Sequence, residues 1–269
     1  MLGLANYICC MIKFLRLPVA VLLVLVLVSW GYEGHHAVGF IAERHLSEHA
    51  AKEVKKILGS DDMASVSTFA DEIRSQQQYK SLGPLHYFNL PGGLTYDQFT
   101  ERVKNSRDAN IYTAIVSAIR DLQNPSSGIA QKNFSLKMLI HFVGDAHQPM
   151  HVSHPEDAGG GKTSVVFLKD PTNLHGLWDE GLLDHQKMGY KEFAVKYDDA
   201  TPGQIKKWQS DSIVTWLWES YQIAEILYKE AEENPNFDEE YYKSHISVVK
   251  NRIEKAGIRL AGLLNEIYK

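Results

Sequence analysis

The sequence predicts a mainly α, single-domain protein with at most one small β-hairpin. Three observations support this. Apolar residues recur at helical spacing over most of the chain. The two stretches with strand character are short, and one of them follows a run of glycines. A length of 269 residues suffices for one large core, and no repeat, coiled coil or low-complexity stretch divides it.

Taken in order, Val38, Ile41, Ala42, His45, Leu46, Val54 and Ile57 approximate a helical period that runs to Leu58 and ends at Asp61 and Asp62. A short helix covers Phe69 to Gln77, with Ser67 or Thr68 as its cap. Gly83-Pro84 breaks the chain before Leu85 to Leu90, which is extended and closed by Pro91-Gly92-Gly93. Tyr112 to Leu122 is helical, stopped by Asn124-Pro125-Ser126-Ser127-Gly128. Leu136, Leu139, Ile140 and Val143 form the stripe of another helix, which must end near Gln148 because the residue before Pro149 avoids helical geometry. Gly159-Gly160-Gly161 introduces a strand over Ser164 to Leu168, and a helix follows from about Asn173. Two long amphipathic helices, near Ser212 to Glu232 and Ser244 to Tyr268, close the chain.

The opening has a different character. Lys13 and Arg16 precede Pro18, and Val19 to Val28 is an almost unbroken aliphatic run, the pattern of a secretory signal peptide. Residues 1–29 are therefore read as removed and 30–269 as the mature domain, secreted or periplasmic, with an uncleaved anchor as the alternative. Leu27 stands where a small residue is preferred before cleavage, and a start at Met11 would give a more compact leader. Losing Lys13 and Arg16 moves the net charge from −5 to about −7. A protein that gripped nucleic acid by phosphate neutralisation would be basic, so any phosphate must be held locally, by metal. Both cysteines, Cys9 and Cys10, fall in the leader, which leaves no disulfide framework and no thiolate site.

The chemistry lies between His141 and Asp179. His141 and Asp145 are four residues apart, as are His175 and Asp179, with His151 between the pairs after Pro149. On a helix that spacing brings the side chains to one face, roughly 5–6 Å apart at Cβ. Imidazole nitrogen with carboxylate oxygen suits zinc and lacks the all-oxygen character that calcium or magnesium requires. The pattern points to metal-assisted hydrolysis. His45, His49, His147, His154, His185 and His245 are read as structural histidines, and His35 and Asp71 gain weight only from their joint spacing with the rest.

Trp30-Gly31-Tyr32-Glu33-Gly34-His35, Ala70-Asp71-Glu72-Ile73-Arg74, Leu85-His86-Tyr87, the run from His141 to His151, and Asn173-Leu174-His175 through Trp178-Asp179 occur in that order. In these segments the chain resembles the zinc-dependent single-strand-preferring nucleases and 3′-nucleotidases of fungi, plants and bacteria, which share a superfamily with zinc-dependent phospholipase C. The resemblance implies the helical fold of that superfamily, holding three zinc ions at the bottom of a cleft. It implies that Asp71, His86, His141 and Asp145 hold one ion. Asp145 would bridge to a second, completed by His35 and the amine and carbonyl of Trp30, while His151, His175 and Asp179 hold the third. It further implies a secreted endonuclease acting on single-stranded RNA and DNA to give 5′-phosphorylated products, with 3′-nucleotidase activity and with nucleotides among its substrates.

Asp71, Arg74 and Asp145 are the candidate catalytic residues. Arg74, three residues after Asp71, either stabilises charge in the transition state or pairs with Asp71, and the two readings stand level. Tyr87 is the candidate stacking platform for a base, unless it or Phe88 belongs to the core. Asn89 is the second candidate substrate-binding residue. It stands where fungal members carry an acidic base-pocket residue, and Gly161 where an Asn often follows the glycine pair, so base preference does not transfer. Asn133-Phe134-Ser135 is a glycosylation sequon in a eukaryotic secretory pathway. A phospholipase C is the first alternative, using the same metals on a lipid headgroup, and an exported zinc-binding protein the second. The Trp-Gly-x-x-Gly-His opening favours the nuclease, and singly spaced histidines argue against zinc storage. The expected protein is a monomer without a stable protein partner and without membrane attachment after leader removal.

Overall fold

A computed structural model describes residues 31–269. The leader and Trp30 lie outside the described residues, so the assignments made to them rest on sequence. Twelve α-helices and a three-stranded sheet make up the described chain, in agreement with the predicted mainly α class.

Helix α1 spans Tyr32–Arg44 and α2 spans Glu48–Leu58, where one continuous helix was expected. The break is made by a distant residue. Asn265 donates to the carbonyl of His45 at 3.1 Å and accepts from the amide of Ser47 at 2.7 Å, while Ser47 Oγ caps α2 by accepting from Ala50 N. Asp198 adds bonds to Arg44 and His45 at 2.9 and 2.7 Å. Apolar periodicity cannot report such partners, which satisfy backbone groups that a helix would otherwise have paired.

Helix α3, Phe69–Arg74, is shorter than expected. Neither expected cap caps it by side chain, since Ser67 Oγ donates to Ala64 O and Thr68 Oγ1 to Glu72. A 3-10 helix, Gln77–His86, accommodates Pro84. The extended segment begins only after it, with Phe88 N and Leu90 N donating to the carbonyls of His151 and Ser153 at 2.8 and 2.7 Å. Helices α4 (Tyr96–Asn105) and α5 (Ile111–Gln123) carry capping boxes at Thr95 and Asn110. Helix α6, Ile129–Asp145, ends three residues before the expected limit, and a 3-10 turn, Pro149–His151, follows. The sequon lies inside α6, where Asn133 Nδ2 donates to Ile57 O at 2.8 Å and buried Ser135 donates to Asp121.

Strands β1 (Ser164–Phe167) and β2 (Asp170–Asn173) form the expected hairpin, with Ser164 opposite Asn173 and Phe167 opposite Asp170. Leu168 belongs to the turn, not the strand: it and Lys169 both take positive φ, 54° and 94°. A two-residue hairpin turn demands that conformation even from side chains that resist it. The parallel partner β3, Asn236–Phe237, was not foreseen. Helix α7 (Leu174–Gly176), a π-helical turn (Leu177–Gly181) and α8 (Leu182–His185) run on from the hairpin. Helices α9 (Tyr190–Tyr197) and α10 (Pro202–Ser210) precede the two long helices, α11 (Ile213–Glu233) and α12 (Glu239–Ile267). Helix α12 starts earlier than its periodicity suggested, because Asp238 caps it by accepting from Glu240 N and Tyr241 N. Helix α1 packs along α12 and α5 along α6, so α6 lies inside the bundle and is buried from Leu136 to Asp145 except at Lys137.

Candidate metal centre

Five elements aim polar side chains at one buried point: α1 supplies His35, α3 Asp71, the end of the first 3-10 helix His86, α6 His141 and Asp145, and the second 3-10 turn His151. Asp145 is fully buried at their centre. Its Oδ1 lies 3.3 Å from His35 Nε2 and 3.5 Å from His151 Nδ1, and its Oδ2 lies 3.0 Å from His86 Nδ1 and 3.1 Å from His141 Nε2. Asp71 Oδ1 faces His86 at 3.6 Å and His141 at 3.8 Å. The helical spacing of His141 and Asp145 explains one of these contacts, and packing makes the others.

Gly144 shows how tight that packing is. An added Cβ there would lie 2.7 Å from His35 Nδ1, so only glycine lets the His35 ring press against α6, where it stacks on His141 with centroids 4.2 Å apart. A second group forms beside the first. His151 Nε2 and His175 Nε2 each lie 3.6 Å from an oxygen of Asp179, which sits in the π-helical turn, a distortion common at functional sites. Gly159, at φ 67°, presents its carbonyl to His175 Nδ1 at 2.8 Å.

The donor set fits metal ions. Three groups have ligand atoms within 4.8 Å of one another: His35, Asp71 and His141; His86, His141 and Asp145; and His151, His175 and Asp179. Ring nitrogens of His86 and His141 face each other at 3.0 Å, and His151 Nε2 is buried without a hydrogen-bond partner among the described residues. The outer nitrogens of His141 and His151 each bond a backbone carbonyl, of Ser67 and His86 at 2.7 Å, which turns the inner nitrogens towards the cluster.

Burial opposes charge on His141 and His151, yet Asp145, joined by Asp71 at the first and Asp179 at the second, pushes both up to about 9. Burial holds His35, His86 and His175 below the usual imidazole range. Asp145 stays well below the carboxylate range despite burial, because of His141 and His151, and Asp179 is lowered by His151 and His175. Metal binding here must expel protons.

The second group opens into a cleft of about 510 Å³ whose walls include Arg74, His86, Tyr87, Lys162, Asn173 and Glu180. Arg74 Nη1 sits 3.3 Å from Asp71 Oδ1, so the pairing reading is formed here while the side chain also lines the cleft. Tyr87 is 42% exposed, and it is Phe88 that packs against the core. Asn89 lies outside the cleft lining, with Oδ1 buried beside Gly159 and unbonded among the described residues. Of the histidines read as structural, His147 is buried against Val143 O and Arg259, and His45, His154, His185 and His245 pair with carboxylates. Glu180 was missed by sequence reasoning. Burial, helped by Asp179, Asp184 and Asp71, pushes it up to about 7, and adjacency to Asp179 was the one signal available. Gln148, whose amide reaches Asp179, was seen only as a helix limit.

The sequence profile of the S1/P1 nuclease family matches residues 30–269. Endonuclease 4 of Arabidopsis thaliana is 30% identical, aligned over 95% of this chain and 94% of the relative. Nuclease S1 of Aspergillus oryzae is 27% identical over 89% of this chain and 92% of its own length, and nuclease P1 of Penicillium citrinum is 28% identical over 89% and 98%. The matched span includes every described ligand-bearing element and continues through α12, so the chain belongs to the S1/P1 nuclease family.

Proposed function

We propose that this chain is an exported zinc-dependent endonuclease that hydrolyses single-stranded RNA and DNA to 5′-phosphorylated products and also removes 3′-phosphates from nucleotides. The observation that carries the reading is the convergence of His35, His86 and His141 on buried Asp145 beside the group of His151, His175 and Asp179, in a chain of this family. Asp71, His86, His141 and Asp145 would hold one zinc. Asp145 would share the second with His35 and with Trp30, and His151, His175 and Asp179 would hold the third. When bound, the ions lower the pKa of water towards ~7 and neutralise charge on phosphoryl and leaving oxygens.

The chain's own residues do the rest. Asp145 turns Oδ1 to His35 and Oδ2 to His86 and His141, so its one carboxylate would serve both sets of ligands. Arg74 extends along the cleft wall, where its guanidinium offers donors to a phosphate that gains charge during reaction. Tyr87 offers an exposed ring at the same wall for a base, a stacking contact worth about 1–3 kcal/mol per base and tolerant of sequence. The acidic balance suits brief capture of single strands, not lasting duplex binding.

Residue 30 as the mature terminus is supported by the family match, which begins there, and by Gly31, which is buried against Glu180 and the carbonyl of Asp179. An α-amine ligates only when free and neutral. Protein retaining one residue before Trp30 is expected to lose a zinc and its activity; full activity and zinc content in that form would remove Trp30 from the centre.

The direct test is hydrolysis of single-stranded RNA, single-stranded DNA, a 3′-mononucleotide and phosphatidylcholine by protein beginning at Trp30, with zinc determined on the same sample. About three zincs per chain are expected, with nucleotide release that stops on chelation. Cleavage of the lipid alone would move the protein to phospholipase C, and bound zinc without turnover would make it a binding protein.

A further inference from the structure

We propose that Gln148 is a positioning residue of the third centre, its amide fixing the orientation of the Asp179 carboxylate towards His151 and His175. The inference rests on reading those three residues as metal ligands.

Gln148 is fully buried, and its Nε2 donates to Asp179 Oδ1 at 2.9 Å. The direction of the amide is settled by its other end, because Oε1 accepts the backbone N–H of Met150. A flipped amide would set N–H against N–H at Met150 and oxygen against carboxylate at Asp179. The residue's backbone is equally constrained. It precedes Pro149 and is extended, with φ −81° and ψ 119°, and its carbonyl accepts from His151 N at 3.1 Å. One residue therefore starts the turn that carries His151 and reaches across to the π-helical turn that carries Asp179.

Asp179 is itself almost fully buried, and a buried carboxylate needs partners. Oδ1, which takes the amide, also faces His151 Nε2, and Oδ2 faces His175 Nε2, each at 3.6 Å, so the one amide sets how both oxygens stand towards the two histidines. The histidines of the group take their outer partners from the backbone, His151 Nδ1 from His86 O and His175 Nδ1 from Gly159 O at 2.8 Å. Gln148 is the side chain in this outer layer that substitution can remove without touching a ligand.

The test uses mature, zinc-loaded protein and a chelator competition titration. Gln148→Glu keeps the shape and the acceptor for Met150 N–H but loses the donor; Gln148→Met loses both without adding charge. In each, the affinity for one zinc is expected to fall 10–100-fold while the remaining ions bind as in wild type. Melting of the metal-free proteins is followed in parallel. Wild-type zinc affinities in both variants, or a lowered metal-free melting temperature with zinc affinities unchanged, would reduce Gln148 to a turn cap and overturn the proposal. A wild-type protein that takes up no zinc would instead refute the metal reading itself. Zinc uptake without nucleotide release would refute only the proposed activity.

Discussion

Asp145→Asn is expected to lower kcat on a single-stranded oligonucleotide by at least about 10³-fold, which corresponds to about 4 kcal/mol of transition-state stabilisation. The substitution keeps the shape of the side chain and removes its charge. That charge is what four histidines share: His35, His86, His141 and His151 all place a ring nitrogen within 3.5 Å of one of its oxygens. It also outweighs the burial that opposes charge on His141 and His151. An amide there must turn its NH₂ towards ring nitrogens on one side or the other, which cannot serve two metal centres at once. Zinc per chain, measured alongside kcat, is expected to fall by at least one ion. Retention of full zinc content with kcat within tenfold of wild type would show that Asp145 does not bridge.

The largest stability effect is expected from Glu219→Gln. Glu219 receives Arg259 at 2.8 and 3.1 Å, Lys255 at 3.3 Å and a short bond from Arg252, and both arginines are buried. Without the carboxylate, Arg259 keeps Asp211 at 2.6 Å, while Arg252 keeps only neutral acceptors: the carbonyls of His147 and Trp216 and the hydroxyl of Ser220. Breaking a buried pair from one side costs about 3–5 kcal/mol, which for a chain of this size lowers the melting temperature by roughly 10 °C. The loss is pH-dependent in a definite sense. Burial would raise Glu219, but its bonds to Arg259 and the charges of Arg252 and Arg259 hold it down to about 2. A carboxyl lowered on folding contributes fully above its unfolded value of about 4.5, and the contribution drains away as pH falls towards 2. Melting curves of wild type and variant should therefore differ most near neutrality and converge in acid. A gap that persists unchanged at pH 3 would show that the carboxylate is not what stabilises the wild type.

That network also reaches the metal centre. Arg252 Nε donates to the carbonyl of His147, and Ser220 Oγ, itself receiving Arg252, donates to that of Ala146. The two residues that follow α6, Ala146 and His147, are thereby fastened to α11 and α12. These C-terminal helices carry none of the candidate ligands, yet they brace the end of the helix that carries His141 and Asp145.

Sequence by itself determined what short-range geometry can express. Apolar periodicity placed the long helices, the glycine run announced the hairpin, and a separation of four residues put His141 with Asp145 and His175 with Asp179 on common faces. Tertiary structure decided the rest. Asn265 and Asp198 split the first helix, β3 joined a hairpin it follows by some sixty residues, and Gln148 found Asp179 across a turn. His35 met α6 through the missing side chain of Gly144. Each of these depends on distant segments satisfying one another's polar groups or filling one another's volume. Spacing along the chain carries that information only within a turn or two of helix, so the candidate ligands could be picked out in the sequence while their convergence came from packing.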